Sequence, residues 1–218
     1  METKNKITKR IRIIQDRFYD WEANDLIKIA YLKTSRYVLG DNPCTPDQLH
    51  EIGECIAKGT MIGLEVYAHI HGGVALSTSQ FSCPWDSGAC GFVYMDKEDV
   101  VGWALRPDGR RGTYCTAADK AKALEACENH VKVFNDYLNG NVYGFVKEEL
   151  FVYTHVESGR FREVWENAEE KDSCWGFLGD IKDSGILDEV KDYLNNGYVL
   201  TNEEGDPIEI TPTTKENK

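Results

Sequence analysis

The chain is expected to fold as a single α+β domain, an antiparallel β-sheet of about six to eight strands packed by two to three helices. Strand-like segments with period-two alternation occupy both ends, as where Ile11 and Ile13 alternate with Arg10 and Arg12. Helical segments with their own start signals interrupt the strands without βαβ alternation. No internal repeat or low-complexity linker divides the 218 residues. Residues 1–200 are therefore read as one domain, and 201–218 as a polar, flexible tail.

Ile7 to Phe18 is rich in β-branched residues and predicts the first strand, followed by a turn at Asp20–Asp25. Leu26 to Leu32 alternates again and predicts the second strand. The run Tyr37-Val38-Leu39-Gly40-Asp41-Asn42-Pro43 has the breaker chemistry of a loop. Thr45-Pro46-Asp47-Gln48 then predicts a helix start: Thr45 caps, Pro46 suits the first helical position and Gln48 completes a capping box. Gly59 stops that helix after Lys58.

Met61 to His71 predicts a strand with Leu64, Val66, Ala68 and Ile70 on one face and Glu65, Tyr67, His69 and His71 on the other. Gly72-Gly73 turns the chain into Val74–Ser77 as a hairpin partner. Cys90 to Met95 is another strand, and Arg106 to Gly112 a basic turn. Thr116 caps the longest helix, whose seam is Leu124, Cys127, Val131, Phe134 and Leu138. Asn141–Val156, Arg160–Glu166 and Ser173–Leu178 are expected to form an antiparallel meander, and Asp183 or Ser184 to open a last helix through Asn195.

Composition limits the function classes. A hydrophobic content of 41% with 11% aromatics supports a packed interior. No apolar run approaches a membrane span, and the N-terminus lacks the apolar core of a secretion signal, so a soluble, cytoplasmic protein is expected. Seven cysteines without a Cys-x-x-Cys pair read as reduced thiols. The net charge of −12 is uneven along the chain: residues 141–218 hold 8 Lys+Arg against 18 Asp+Glu, residues 1–140 hold 17 against 19. Such a field repels nucleic acid and attracts basic surfaces, so no direct nucleic-acid partner is expected. Neither a P-loop nor a dinucleotide-binding glycine motif occurs, and no cofactor is expected.

The most distinctive stretch is Ser77-Thr78-Ser79-Gln80-Phe81-Ser82-Cys83-Pro84-Trp85-Asp86-Ser87-Gly88. Its short polar side chains suit an irregular loop that bonds to its own backbone. With the preceding His71–Leu76 and the following Gly91-Phe92-Val93-Tyr94, it resembles a signature of bacteriophage and mobile-element proteins. Tyr137–Phe145 and Asp172–Asp180 resemble the same pattern in the same order, as does the shorter Tyr37–Asp41. The chain departs from the pattern at Ala89-Cys90, where a longer polar residue and valine are usual. The resemblance implies a genomic setting rather than a reaction: an accessory protein in a bacterial host cell. Such small acidic proteins often neutralise host defence nucleases, including CRISPR effectors and restriction enzymes.

The leading expectation is accordingly a non-enzymatic inhibitor that binds the basic surface of a host defence nuclease. Glu163, Glu166, Glu169, Glu170 and Asp172 would steer the encounter, and Trp165 beside them would supply affinity. The alternative is an enzyme acting on a defence protein or a signalling nucleotide, with Cys83 as nucleophile, His71 as base and Asp86 as orienter. Against it stands the reading of Cys83 as a small buried side chain, Pro84-Trp85 as a core plug and Asp86 as a cap for Ser87-Gly88. A metal site of Cys83, Cys90, Cys174 and a histidine would need three segments to converge. Spacing does not call for it, although His69 and His71 are spaced compatibly with ligation, and no metal is expected.

Overall fold

Alternation does place the longer strands. The computed structural model describes residues 8–33, 36–103, 114–154, 161–167 and 173–209. Within them the order is β1 (Lys9–Gln15), β2 (Lys28–Leu32), β3 (Asn42–Cys44), α1 (Pro46–Lys58), β4 (Met61–Ile70), β5 (Val74–Ser77) and β6 (Ser87–Asp96). There follow α2 (Lys97–Trp103), α3 (Ala117–Leu138), β7 (Val142–Thr154), β8 (Phe161–Asn167), β9 (Ser173–Leu178), α4 (Ile186–Asn195) and β10 (Val199–Thr201). The class is α+β, with the described strands divided between two five-stranded sheets rather than gathered in one. The chain forms two compact units: Asp20–Asn139, and Met1–Tyr19 together with Gly140–Lys218.

In Asp20–Asn139 the sheet order is β3-β2-β6-β4-β5. Both helix starts are built as their sequences dictate. Thr45 with Gln48 and Thr116 with Asp119 form reciprocal capping boxes, and Gly59 ends α1 in the left-handed region at φ 74°. Consecutive residues of β6 separate two cores. Val93 packs with Cys127, Val131 and Phe134 of α3 and with Ile62, Val66 and Ala68 of β4. Phe92 and Tyr94 pack with Leu49, Ile52 and Ile56 of α1 and with Ala30 and Met61. Each fully buried aliphatic side chain contributes about 1.5–3 kcal/mol to this packing. Glycine is required at position 91, where a Cβ would collide with the carbonyl oxygen of Ala30 on the neighbouring strand.

The expected loop 37–43 ends in β3, a short edge strand parallel to β2 that admits Pro43 because an edge position needs no ladder donor on that side. The same loop buries Asp41. Its Oδ1 accepts from Trp21 Nε1 at 2.6 Å and its Oδ2 from the Ile29 N–H at 3.0 Å. Burial pushes the Asp41 carboxyl up, but the nearby His130 imidazole and the bonds from Ile29 and Trp21 outweigh it and hold it below the usual carboxylate value.

In the other unit the order is β10-β1-β7-β8, with β9 also paired to β7. The expected meander is replaced. β1 occupies one edge of β7 from Tyr143 to Glu149, so β8 and β9 lie end to end along the other, beside Glu148–Thr154 and Val142–Val146. Nor is either sheet purely antiparallel, since β10 runs parallel to β1 as β3 does to β2. Ile11, Ile13 and Phe145 form a core with Ile186 and Val190 of α4. That helix starts later than Asp183 or Ser184, on Gly185 with φ 85°, because those two residues are used in a turn closed on the Asp180 carbonyl. The start of the segment expected to fray is bonded back to the unit: Thr201 is fully buried and pairs with Pro207, and the Ile208 N–H donates to the Leu200 carbonyl at 2.9 Å. The basic turn at Arg106, Arg110 and Arg111 lies outside the described residues. No helix among the described residues is long and apolar enough to cross a membrane.

Candidate functional site

The signature loop is anchored at both ends by the hairpin that precedes it. His69 of β4 lies between Ala75 of β5 and Ser87 of β6 in the ladder. Ser77 Oγ accepts from the Ser79 N–H at 2.9 Å as the loop leaves β5. At the far end the Ile70 N–H donates to the Asp86 carbonyl at 2.8 Å, and the Ser87 hydroxyl donates to the Cys83 carbonyl. Between them Cys83-Pro84-Trp85-Asp86 makes a tight bend that sets Cys83 and Asp86 side by side. The expected strand at Cys90–Met95 begins earlier, at Ser87, because these residues continue the β4 ladder past a register shift opposite Val66 and Tyr67.

Four side chains meet there. Cys83 Sγ lies 3.9 Å from Asp86 Oδ2, and His71 Nδ1 lies 3.2 Å from the same oxygen. His69 joins them, with its ring nitrogen, the Cys83 sulfur and an Asp86 oxygen all within 4.8 Å of one another. The Phe81 ring stands 5.5 Å from the His69 ring. On the same strand Tyr67 donates to Glu65 and accepts from Gln80 Nε2 at 3.2 Å, tying the loop down a second time. Glu65 raises the Tyr67 phenol above its ordinary value by accepting that bond.

The three residues of the nucleophile, base and orienter expectation are thus brought together, but in a different sequence of contacts. Asp86 stands between Cys83 and His71, where a general base would stand. Cys83 is placed to donate its S–H to that carboxylate, not to an imidazole. His69, outside that expected trio, brings a ring nitrogen within 4.8 Å of the thiol sulfur. Its spacing of two from His71 on an alternating strand was the available signal.

Trp85 is the second departure. The core plug expected from Pro84-Trp85 does not form: the indole is 92% exposed. It borders an apolar cleft of about 440 Å³ lined by Leu32, Leu39, Ala68, Ile70 and Cys90. Burial pushes the Cys90 thiol up to about 12, so that sulfur acts as an inert wall.

The described members of the acidic set, Glu163 and Glu166, are not gathered in the same way. Glu163 pairs with Val152 and Glu166 with Glu149 across the β7–β8 ladder. A separation of three along a strand sends their side chains to opposite faces. Glu169, Glu170 and Asp172 lie outside the described residues. Trp165 is half-buried, with the Arg10 guanidinium 4.1 Å from its ring centre. On that face Arg10 and Arg12 bond Glu148 at 2.7 and 2.8 Å, and burial of Glu148 is outweighed so that its carboxyl stays below the usual value. Lys9 stands 3.3 Å from Glu149 on the strand pair, and Arg17 3.5 Å from Glu203. The basic N-terminal strand therefore sits inside the acidic part. Counted by unit, Met1–Tyr19 with Gly140–Lys218 holds 14 Lys+Arg against 20 Asp+Glu, and Asp20–Asn139 holds 11 against 17, so each carries −6.

No protein-family model, curated protein or solved structure matches the chain.

Proposed function

We propose that this chain is a binding protein of a phage or mobile element that inhibits a host nucleic-acid-targeting defence nuclease. Its contact surface is the signature loop with Trp85 at its tip. The exposure of Trp85 carries the reading: a large apolar side chain is held in solvent by a loop fastened to the sheet through Ile70, Ser87 and Tyr67. A pre-ordered aromatic anchor loses little conformational entropy on binding, and tryptophan is among the residues enriched where a few side chains dominate an interface. The cleft beside it accepts an apolar side chain in return. Negative charge on both units favours a basic partner and speeds encounter with it. The nuclease identity of that partner rests on the resemblance of the signature loop to phage and mobile-element proteins.

This reading moves the contact surface away from Glu163, Glu166 and Trp165. Opposed faces and a guanidinium partner leave those three a weaker basis for a single acidic mimic of nucleic acid.

The test is capture of the tagged full chain from bacterial cells carrying defence systems, in parallel with a Trp85→Ala variant. The expected result is a stoichiometric nuclease complex that weakens with salt, has reduced nuclease activity, and is lost with the variant. A captured nuclease that stays fully active, or a Trp85→Ala protein that captures and inhibits as well as the parent, overturns the proposal.

A further inference from the structure

Three donor atoms of different softness converge beneath the loop: a His69 ring nitrogen, Cys83 Sγ and an Asp86 carboxylate oxygen, all within 4.8 Å of one another. We propose that His69, Cys83 and Asp86 form a binding site for a zinc-class divalent transition-metal ion. His71 holds Asp86 from outside the coordination sphere.

The distances fit. Tetrahedral zinc, with bonds of about 2.3 Å to sulfur and 2.1 Å to oxygen, separates those two atoms by about 3.6 Å. Cys83 Sγ and Asp86 Oδ2 are 3.9 Å apart. Bringing all three donors to metal-bond length takes about an ångström of side-chain adjustment. The donor set also selects the ion. Thiolate and imidazole suit zinc, cobalt and copper, whereas calcium and magnesium take oxygen ligands alone. On binding, the Cys83 thiol releases its proton to solvent and the sulfur lone pair forms the metal bond, with no change of oxidation state.

Once Cys83 has lost its proton to the ion, a divalent charge lying between the thiolate and the carboxylate offsets both. His71 Nδ1, 3.2 Å from Asp86 Oδ2, occupies the place of the outer partner that orients a ligating carboxylate. The backbone is already fixed on both sides, since His69 lies in the ladder and Asp86 is bonded through its carbonyl to Ile70. Three protein ligands leave a fourth position for water or for a group from a partner. Because Cys83 and Asp86 flank Pro84-Trp85, the ion would also fix the direction in which Trp85 is presented.

The experiment uses the full chain, reduced and stripped of metal, titrated with cobalt(II) chloride and then with zinc. One equivalent of cobalt is expected to give the strong visible bands of a four-coordinate ion and a near-ultraviolet thiolate charge-transfer band, both removed by zinc. Cys83→Ser abolishes the charge-transfer band. His69→Ala and Asp86→Asn weaken binding at least about tenfold, and His71→Ala weakens it about 10- to 100-fold while keeping the band. Cys90→Ser and Cys174→Ser leave it unchanged. On the unmutated chain, which makes the test independent of how variants fold, one equivalent of zinc protects Cys83 but not Cys174 from alkylation, as mapped by mass spectrometry. A pale six-coordinate cobalt spectrum, a charge-transfer band that survives Cys83→Ser, or an unprotected Cys83 overturns the proposal. None of these measurements involves a binding partner, so their outcome is separate from that of the capture experiment.

Discussion

Asp86 places its Oδ2 3.2 Å from His71 Nδ1 and its carbonyl oxygen 2.8 Å from the Ile70 N–H, while its neighbour Trp85 is turned out into solvent. One residue thereby fastens the loop to the sheet through both its side chain and its backbone. The bend that results separates a polar cluster from an exposed anchor two atoms of backbone away. The proposed recognition by Trp85 and the proposed ligation by Cys83 and Asp86 would therefore be two uses of the same four residues.

Trp85→Ala separates binding from stability. The side chain contributes little to the core because it is exposed, so unfolding free energy is expected to change by no more than about 0.5 kcal/mol. Loss of a central aromatic anchor lowers partner affinity by about 2 kcal/mol or more, roughly 30-fold. Denaturant titration and a binding isotherm on the same variant check both halves. Equal loss in the two would mean that Trp85 is structural.

Glu148 is the one buried charged residue among the described residues of its unit. It is 5% exposed and bonded by both Arg10 and Arg12, so Glu148→Gln leaves two guanidinium groups without their shared carboxylate. The expected cost is about 3 kcal/mol. The pH dependence follows from the direction of its shift. Burial raises the carboxyl, the two arginines lower it by more, and the net value in the folded chain lies below that of the unfolded chain. Its contribution is fully present above about pH 4.3 and is lost as pH falls through the folded value. Acid unfolding followed by circular dichroism should show a shallower acid limb in the variant; an unchanged limb would assign that stability to other carboxylates.

What the sequence made legible were features with local causes. Thr45 with Gln48 announced a capping box, Thr116 a cap, Gly59 a helix stop, and the seam from Leu124 to Leu138 its packing face. Long-range pairing was not legible. Nothing near Ser173 says that β9 follows β8 along one edge of β7, because that depends on β1, more than a hundred residues earlier, taking the other edge. The short strands β3 and β10 were hidden for the same reason, since three residues carry no period and each is defined by a parallel neighbour. At the candidate site Cys83, Asp86 and His71 were legible as chemistry-bearing residues. Their order of contact was not, because it turns on the fold of a loop without periodicity. The linear charge asymmetry misled, because β1 carries its arginines into the acidic part of the chain.

The cysteines should divide by burial. Burial pushes Cys127 and Cys90 up to about 12, so both stay thiols at neutral pH and resist alkylation until the chain unfolds. Cys174 is exposed and should be modified first. Timed iodoacetamide labelling read by peptide mass checks the order. Early labelling of Cys127 in folded protein would mean that α3 opens away from its sheet.

Asp41 tests whether a buried polar knot or a charge pair holds the loop before α1. Its two oxygens accept from Trp21 and Ile29, and His130 Nε2 lies 3.8 Å away without a hydrogen-bond partner among the described residues. Asp41→Asn turns an amide N–H toward one of those donors and should cost about 2 kcal/mol. Trp21 also stands ring to ring with His130 and Phe134, at 5.4 and 4.9 Å, so the lost bond loosens an aromatic cluster on α3 as well. If the hydrogen bonds dominate, His130→Phe keeps the ring contact, removes an unpaired nitrogen and costs less than about 1 kcal/mol. A loss in His130→Phe as large as that in Asp41→Asn would instead assign the stability to the charge contact between Asp41 and His130. Denaturant midpoints of the two variants decide between them.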